Sequence, residues 1–177
     1  MTELRSGLQL LCGVALAAAV LVGMRWWTGP AYALSSRDAA AVVDLIERLK
    51  PQFGDFAYDE EIADEWFDED AAAGGLIAGA GFSRERWKVA LGETIRGFVA
   101  AIPRAEVEAM LSGAREGIKA MKELDPLQKK EALDAVDEQI RALWAMRLEG
   151  APFADTVRPY VPRLRALLTS RGGPAEK

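Results

Sequence analysis

Carboxylates are the chemistry-bearing groups this sequence offers in quantity. Between Pro51 and Ser83 stand Asp55, Asp59, Glu60, Glu61, Asp64, Glu65, Asp68, Glu69 and Asp70, with no Lys or Arg among them. Carboxylates so arranged keep a helix face in water, meet a basic surface, or bind a hard cation, which needs several oxygens at once. The cation reading is the weakest, because the segment lacks the alternating acids and central glycine of an EF-hand loop. The solvated face comes first. A docking surface for a basic partner comes second, as does pairing with the protein's own Arg158, Arg163, Arg165 and Arg171. The candidate partner-binding set is therefore Asp59, Glu60, Glu61, Asp64, Glu65, Asp68, Glu69 and Asp70, with Trp66 and Phe67 beside them.

One further carboxylate stands apart. Glu93 lies within an apolar helical stretch, near Arg86, Arg96 and Gly97. It is the best single candidate for carboxylate-only catalysis of the glycoside-hydrolase kind, where one acid with a raised pKa faces a second. The simpler reading makes Glu93 and Gly97 part of a lightly packed helix boundary, with Arg86 or Arg96 as ion-pair partner. The rest of the catalytic repertoire is missing. The chain has no histidine, and its single cysteine, Cys12, precedes the main body of the sequence. The body therefore lacks the parts of a Ser-His-Asp or Cys-His set, a His or Cys zinc site and a disulfide. The expectation is a protein that is not an enzyme and carries no cofactor or metal.

The charge balance narrows the partners. The formal net charge is −5, and the residues after Ala33 carry 20 basic and 26 acidic groups, a net −6. That sign disfavours nucleic acid and anionic lipid headgroups as targets of the body. A protein partner or a homo-oligomer is the expected company.

These groups sit on elements that the apolar pattern predicts. Residues 7–24 are uncharged and contain one polar side chain, Gln9, preceded by Arg5 and followed by Ala31-Tyr32-Ala33. Small residues at the two positions read by a signal peptidase make cleavage after Ala33 the simplest prediction. The alternative is a retained anchor, since 18 apolar residues reach about 27 Å, with Arg25, Trp26 and Trp27 at the membrane interface. Either way the body lies outside the cytoplasm, in a periplasm-like compartment or secreted. Cys12 has no lipobox around it.

The expected domains are a signal peptide or anchor over 1–33, a single helical domain over 34–170 and a disordered tail over 171–177. The domain is predicted to be all-α, a bundle of about four to five helices. Ser35 or Ser36 caps the first, which ends near Leu49 before Pro51 and Gly54. A short second helix covers 59–70, and the glycine-rich stretch 71–81 is an apolar connection. With Phe56, Trp66, Phe67, Leu76, Ile77 and Phe82 it is read first as a close-packed crossing, and second as a lid, groove or membrane-touching loop. Ser83 caps a third helix to about Ile102, with Trp87, Leu91, Ile95 and Phe98 on one face.

Pro103 opens a fourth helix with a narrow heptad-like seam of Val107, Leu111, Ala114, Ile118 and Met121. Asp125-Pro126-Leu127-Gln128 supplies a capping box for a fifth that stops at Gly150. Helices over 103–124 and 126–149 then form an antiparallel hairpin about 33 Å long. Pro159 divides the segment from Pro152 to Ser170 into two short pieces over the open side of the bundle. Leu124-Asp125-Pro126-Leu127-Gln128 also resembles the L-T-x-x-Q helix starts of periplasmic Spy-like chaperones, in one copy and with Asp in the Thr position. Ordinary capping yields the same five residues.

The functional expectation is an extracytoplasmic, membrane-associated or secreted, non-enzymatic binding, adaptor or assembly protein that acts through the hairpin and the acidic helix. The alternatives are a periplasmic holdase-type chaperone presenting the Phe56, Trp66, Phe67 and Leu76 group, and a carboxylate-dependent hydrolase.

Overall fold

Six helices of at least two turns carry the structure, a computed structural model that describes residues 34–53 and 60–169, apart from the side chains of Glu60, Leu168 and Thr169. The predicted leader over 1–33, the link holding Gly54, Asp55, Phe56 and Asp59, and the tail over 171–177 lie outside the described residues. In chain order the elements are α1 (Ser36–Phe53), α2 (Glu60–Ala73), the single turn α3 (Leu76–Gly79), α4 (Arg84–Ala101), α5 (Arg104–Ala120) and α6 (Pro126–Gly150). A 3-10 turn (Ala151–Phe153), the short α7 (Ala154–Val157), a second 3-10 turn (Arg158–Tyr160) and α8 (Val161–Thr169) complete them. No strand occurs among the described residues, and the bundle is all-α as its apolar periodicity predicts.

The helix starts follow side-chain chemistry. Ser35 Oγ accepts the Asp38 N–H at 3.0 Å, and Ser83 Oγ accepts the Arg86 N–H at 3.2 Å. At α6 the Asp125 carboxylate accepts the Leu127 and Gln128 N–H groups at 2.8 and 2.9 Å, while Gln128 Oε1 accepts the Asp125 N–H at 3.0 Å. These bonds satisfy donors that every helix start leaves open.

Two local expectations are corrected. The first helix does not stop near Leu49: α1 carries Pro51 inside it and runs to Phe53. Gln52 Nε2 donates to the Arg48 carbonyl one turn back at 3.2 Å, and Phe53 meets Trp66 of α2 edge-on with ring centroids 5.6 Å apart, so the extra turn is held both from within the helix and from α2. The 71–81 connection is more helical than predicted, with α2 continuing to Ala73 and α3 forming one turn between left-handed Gly75 (φ 66°) and Gly81 (φ 91°). α6 ends at Gly150 as predicted, though not through a left-handed residue. The Gly150 φ of −79° is helical, and the chain runs directly into the 3-10 turn.

Close approach explains that glycine. A Cβ on Gly150 would lie 2.0 Å from the Arg96 carbonyl oxygen, so α4 and the end of α6 meet backbone to backbone. On α4 itself, a Cβ on Gly97 would lie 2.8 Å from Val157 Cγ2 and 2.9 Å from Phe153 Cβ. The boundary at Gly97, expected to be lightly packed, is among the tightest in the molecule. Arg147 reinforces the crossing by donating to the Val99 carbonyl and, at 2.8 Å, to the Ile102 carbonyl. It supplies positive charge at the end of α4, whose last turn has none of its own.

The main core gathers around α4. Trp87, Leu91, Ile95 and Phe98 pack with Val42, Ile46 and Leu49 of α1, Ala63 and Trp66 of α2, Val157 of α7 and Leu164 of α8. Trp87 is fully buried, and its indole N–H donates to the Ala63 carbonyl at 3.0 Å. Where two short pieces are predicted around Pro159, four short helical elements follow one another, and Pro152, Pro159 and Pro162 each sit in the first turn of one, where the missing N–H leaves no bond unmade.

A second, smaller core belongs to the hairpin of α5 and α6. Ile118, Val136 and Ile140 are buried there, with Leu111, Ala132, Leu133 and Trp144 packed around them. The antiparallel register shows in three cross-links: Arg104 over the Trp144 ring at 5.1 Å, Arg115 to Asp137 at 2.5 Å, and Lys129 to the Lys119 carbonyl at 3.3 Å.

Candidate functional site

The acidic helix is drawn partly into the fold. Asp64 and Asp68, four apart on α2, face Lys88 and Arg84, four apart on α4. Asp64 accepts Lys88 Nζ at 2.8 Å and faces Arg84 at 3.5 Å, while Asp68 accepts a two-pronged bond from Arg84, one contact at 3.1 Å. The Arg84 hydrogen bond holds the Asp68 carboxyl below its usual range. The same guanidinium lies 4.8 Å above the Phe67 ring. Sequence reasoning missed these counterions, although matched four-residue spacings on both helices were the available signal.

Asp70 is the instructive member. As the last of three acids near a helix C-terminus it should oppose the macrodipole. Instead it is only 2% exposed, and its two oxygens accept the Leu76 N–H at 2.9 Å and the Ile77 N–H at 2.7 Å. Its own carbonyl accepts the Gly74 and Gly75 N–H groups. One residue thus ends α2 and starts α3, and its charge lies where the next helical turn favours it.

Of the predicted partner-binding set, Glu61, Glu65 and Glu69 remain exposed at four-residue spacing and make no ion pair among the described residues. Asp64 and Asp68 are committed to α4. Asp70 and Trp66 are buried, Trp66 at 4% exposure, and Phe67 is half-buried under Arg84. Asp59 and the Glu60 side chain lie outside the described residues. The other apolar neighbours are core: Ile77 and Phe82 are buried, Leu76 is half-buried, and Phe82 meets Trp87 edge-on at 6.0 Å. Of the group that suggested a holdase, Trp66 is buried and Phe67 and Leu76 are half-buried, while Phe56 lies outside the described residues.

Among the described residues, the tail arginines bond elements other than the acidic helix. Arg163 bonds Asp44 and Glu47 of α1, each at 2.6 Å, Arg165 bonds Glu106 of α5, and Arg158 bonds its neighbour Asp155 at 2.7 Å. Arg171 lies outside the described residues. Hydrogen bonding to Arg163 lowers the Glu47 carboxyl and raises the arginine. These pairs fasten α8 to α1 and α5.

Glu93 is 9% exposed, and its Oε2 atom has no hydrogen-bond partner. The nearest cation is Arg86 Nη1 at 4.0 Å, and Arg86 Nη2 is itself bound to Asp38 at 2.5 Å. Two carboxylates therefore draw on one guanidinium across the α1–α4 contact. Among the described residues no three acids gather into a set that could hold a metal ion, and no helix is long and apolar enough to cross a membrane.

The hairpin presents the remaining candidate surface. Met110, Leu127 and Leu148 are the exposed large apolar side chains, and all three lie on α5 or α6. On α5, Gly113 and Gly117 face open space. Comparison of the chain with protein-family models, with curated proteins and with solved structures gave no match.

Proposed function

We propose that this chain is an extracytoplasmic, non-enzymatic binding or assembly protein that meets a protein partner, or a second copy of itself, chiefly through the α5–α6 hairpin. The Glu61, Glu65 and Glu69 stripe is the secondary contact. The observation that supports this reading is the hairpin's separate packing: it has its own small core and carries every exposed large apolar side chain among the described residues. The far part of the hairpin, beyond the Gly150 crossing on α4, packs mainly on itself, and a helix pair with its own apolar seam is a surface that another helix can meet. The extracytoplasmic placement is supported by the uncharged run over residues 7–24 and the Ala31-Tyr32-Ala33 site.

The test is affinity capture from membrane and periplasmic extracts with three forms of the full chain: wild type, a triple Met110→Ser, Leu127→Ser, Leu148→Ser variant, and a triple Glu61→Gln, Glu65→Gln, Glu69→Gln variant. The hairpin variant is expected to lose the partners and the glutamine variant to retain them in reduced amount. Capture of the same proteins, in the same amounts, by all three forms would sink the proposal. N-terminal sequencing of the natural protein distinguishes a new terminus at Leu34 from a retained anchor.

A further inference from the structure

Buried carboxylates are normally paired or hydrogen-bonded, because an ion removed from water without a partner is costly. Glu93 breaks this pattern at the joint where the first turn of α1 rests on the central helix. Its Oε2 is buried and has no hydrogen-bond partner, the Arg86 guanidinium stands at the 4.0 Å limit of an ion pair, and that guanidinium is held more closely by Asp38. We propose that Glu93, Arg86 and Asp38 form a proton-operated latch between α4 and the first turn of α1. With Glu93 protonated, its negative charge no longer draws on the arginine that binds Asp38, and the turn is held. With Glu93 ionised, the buried charge weakens the same contact.

The charges around Glu93 fit this division of roles. Burial pushes its carboxyl above the ordinary glutamate value of 4.5, and this outweighs the pull of Arg86 and Arg96, with Asp38 adding to the rise. Burial also pushes Asp38 upward, but the hydrogen bonds from Arg86 and Ser35 and the arginine's charge outweigh it and leave Asp38 below its ordinary value. From the other elements packed on α4, Arg147 of α6 is bound to the Val99 and Ile102 carbonyls, and Asp155 and Arg158 are bound to each other. On the α2 side, Asp64 and Lys88 are likewise paired. Of the two carboxyls on one guanidinium, Glu93 is the one that takes the proton.

The sign of the pH dependence is set by the direction of that shift. A carboxyl with a raised folded-state pKa binds its proton more tightly in the folded state, so stability rises as pH falls through that value and the gain is complete near 4.5. Asp38, Glu47 and Asp68, held below their ordinary values, weaken the fold only at lower pH. The window above 4.5 belongs to Glu93.

The experiment uses the full chain in detergent. A carbon-13 titration of the glutamate carboxyls, assigned through bonds to the wild-type backbone resonances, is expected to give a Glu93 midpoint above the ordinary value. Hydrogen exchange at amides 39–43, corrected for intrinsic rates, is expected to be several-fold slower at about pH 5.5 than at about pH 8 in the wild type. In Glu93→Gln it is expected to be slow at both. A midpoint at or below the ordinary glutamate value overturns the latch, even if the variant fails to fold. So does the same pH response in wild type and variant.

Discussion

The region around α4 and the α5–α6 hairpin are built from the same helices, caps and glycines, yet those parts do different work in each. Around α4, Trp87, Ile46 and Leu91 are sealed from water and two glycines let backbones touch. In the hairpin the buried set is Ile118, Val136 and Ile140, and two glycines of α5 touch nothing. A residue type therefore carries no fixed structural meaning: tertiary surroundings decide whether a glycine is required or merely tolerated.

The largest expected effect probes this contrast at Gly150. Replacing it with Ala places a methyl 2.0 Å from the Arg96 carbonyl oxygen, and the backbones must separate. Urea unfolding should show a loss of about 3 kcal/mol or more. A loss below about 1 kcal/mol would mean that the crossing is not close packed.

The next contrast pairs two aspartates with one task. Asp70 caps α3 while buried, and Asp125 caps α6 while exposed. Asp70→Ala should cost about 2 kcal/mol or more because two buried N–H groups lose their acceptor. Asp125→Ala should cost about 1 kcal/mol because water replaces the carboxylate. Equal losses would erase the distinction between the regions.

The smallest effect has the opposite sign. Gly113→Ala and Gly117→Ala meet open space, so each should stabilise the hairpin by about 0.5 to 1 kcal/mol, read from amide exchange in α5. Destabilisation at either position would show a close approach that the isolated chain lacks.

Much of this architecture was legible in the chain. The caps at Ser83 and Asp125, the seam from Val107 to Met121 and the break around Pro159 are local devices, and each lies where its chemistry puts it. What stayed hidden was non-local. The demand for glycine at Gly150 depends on a carbonyl 54 residues away, and glycine's ordinary role as a helix stop pointed elsewhere. Asp70 read as an unfavourable charge because its true partners, the amides of Leu76 and Ile77, belong to a turn that the glycine content argued against. At the candidate site, the carboxylates were visible but not their division of labour. Asp64 and Asp68 are neutralised by Lys88 and Arg84 across a helix contact, while Glu61, Glu65 and Glu69 between them stay in water.

Native-state hydrogen exchange on the full chain tests the separation of the two regions most directly. Amides of α4, and of α1 beyond its first turn, should open only with global unfolding, while those of α5 and of α6 up to about Ile140 should open earlier, as one cooperative unit of lower free energy. Exchange of hairpin and α4 amides at the same free energy would show one indivisible core and contradict the account.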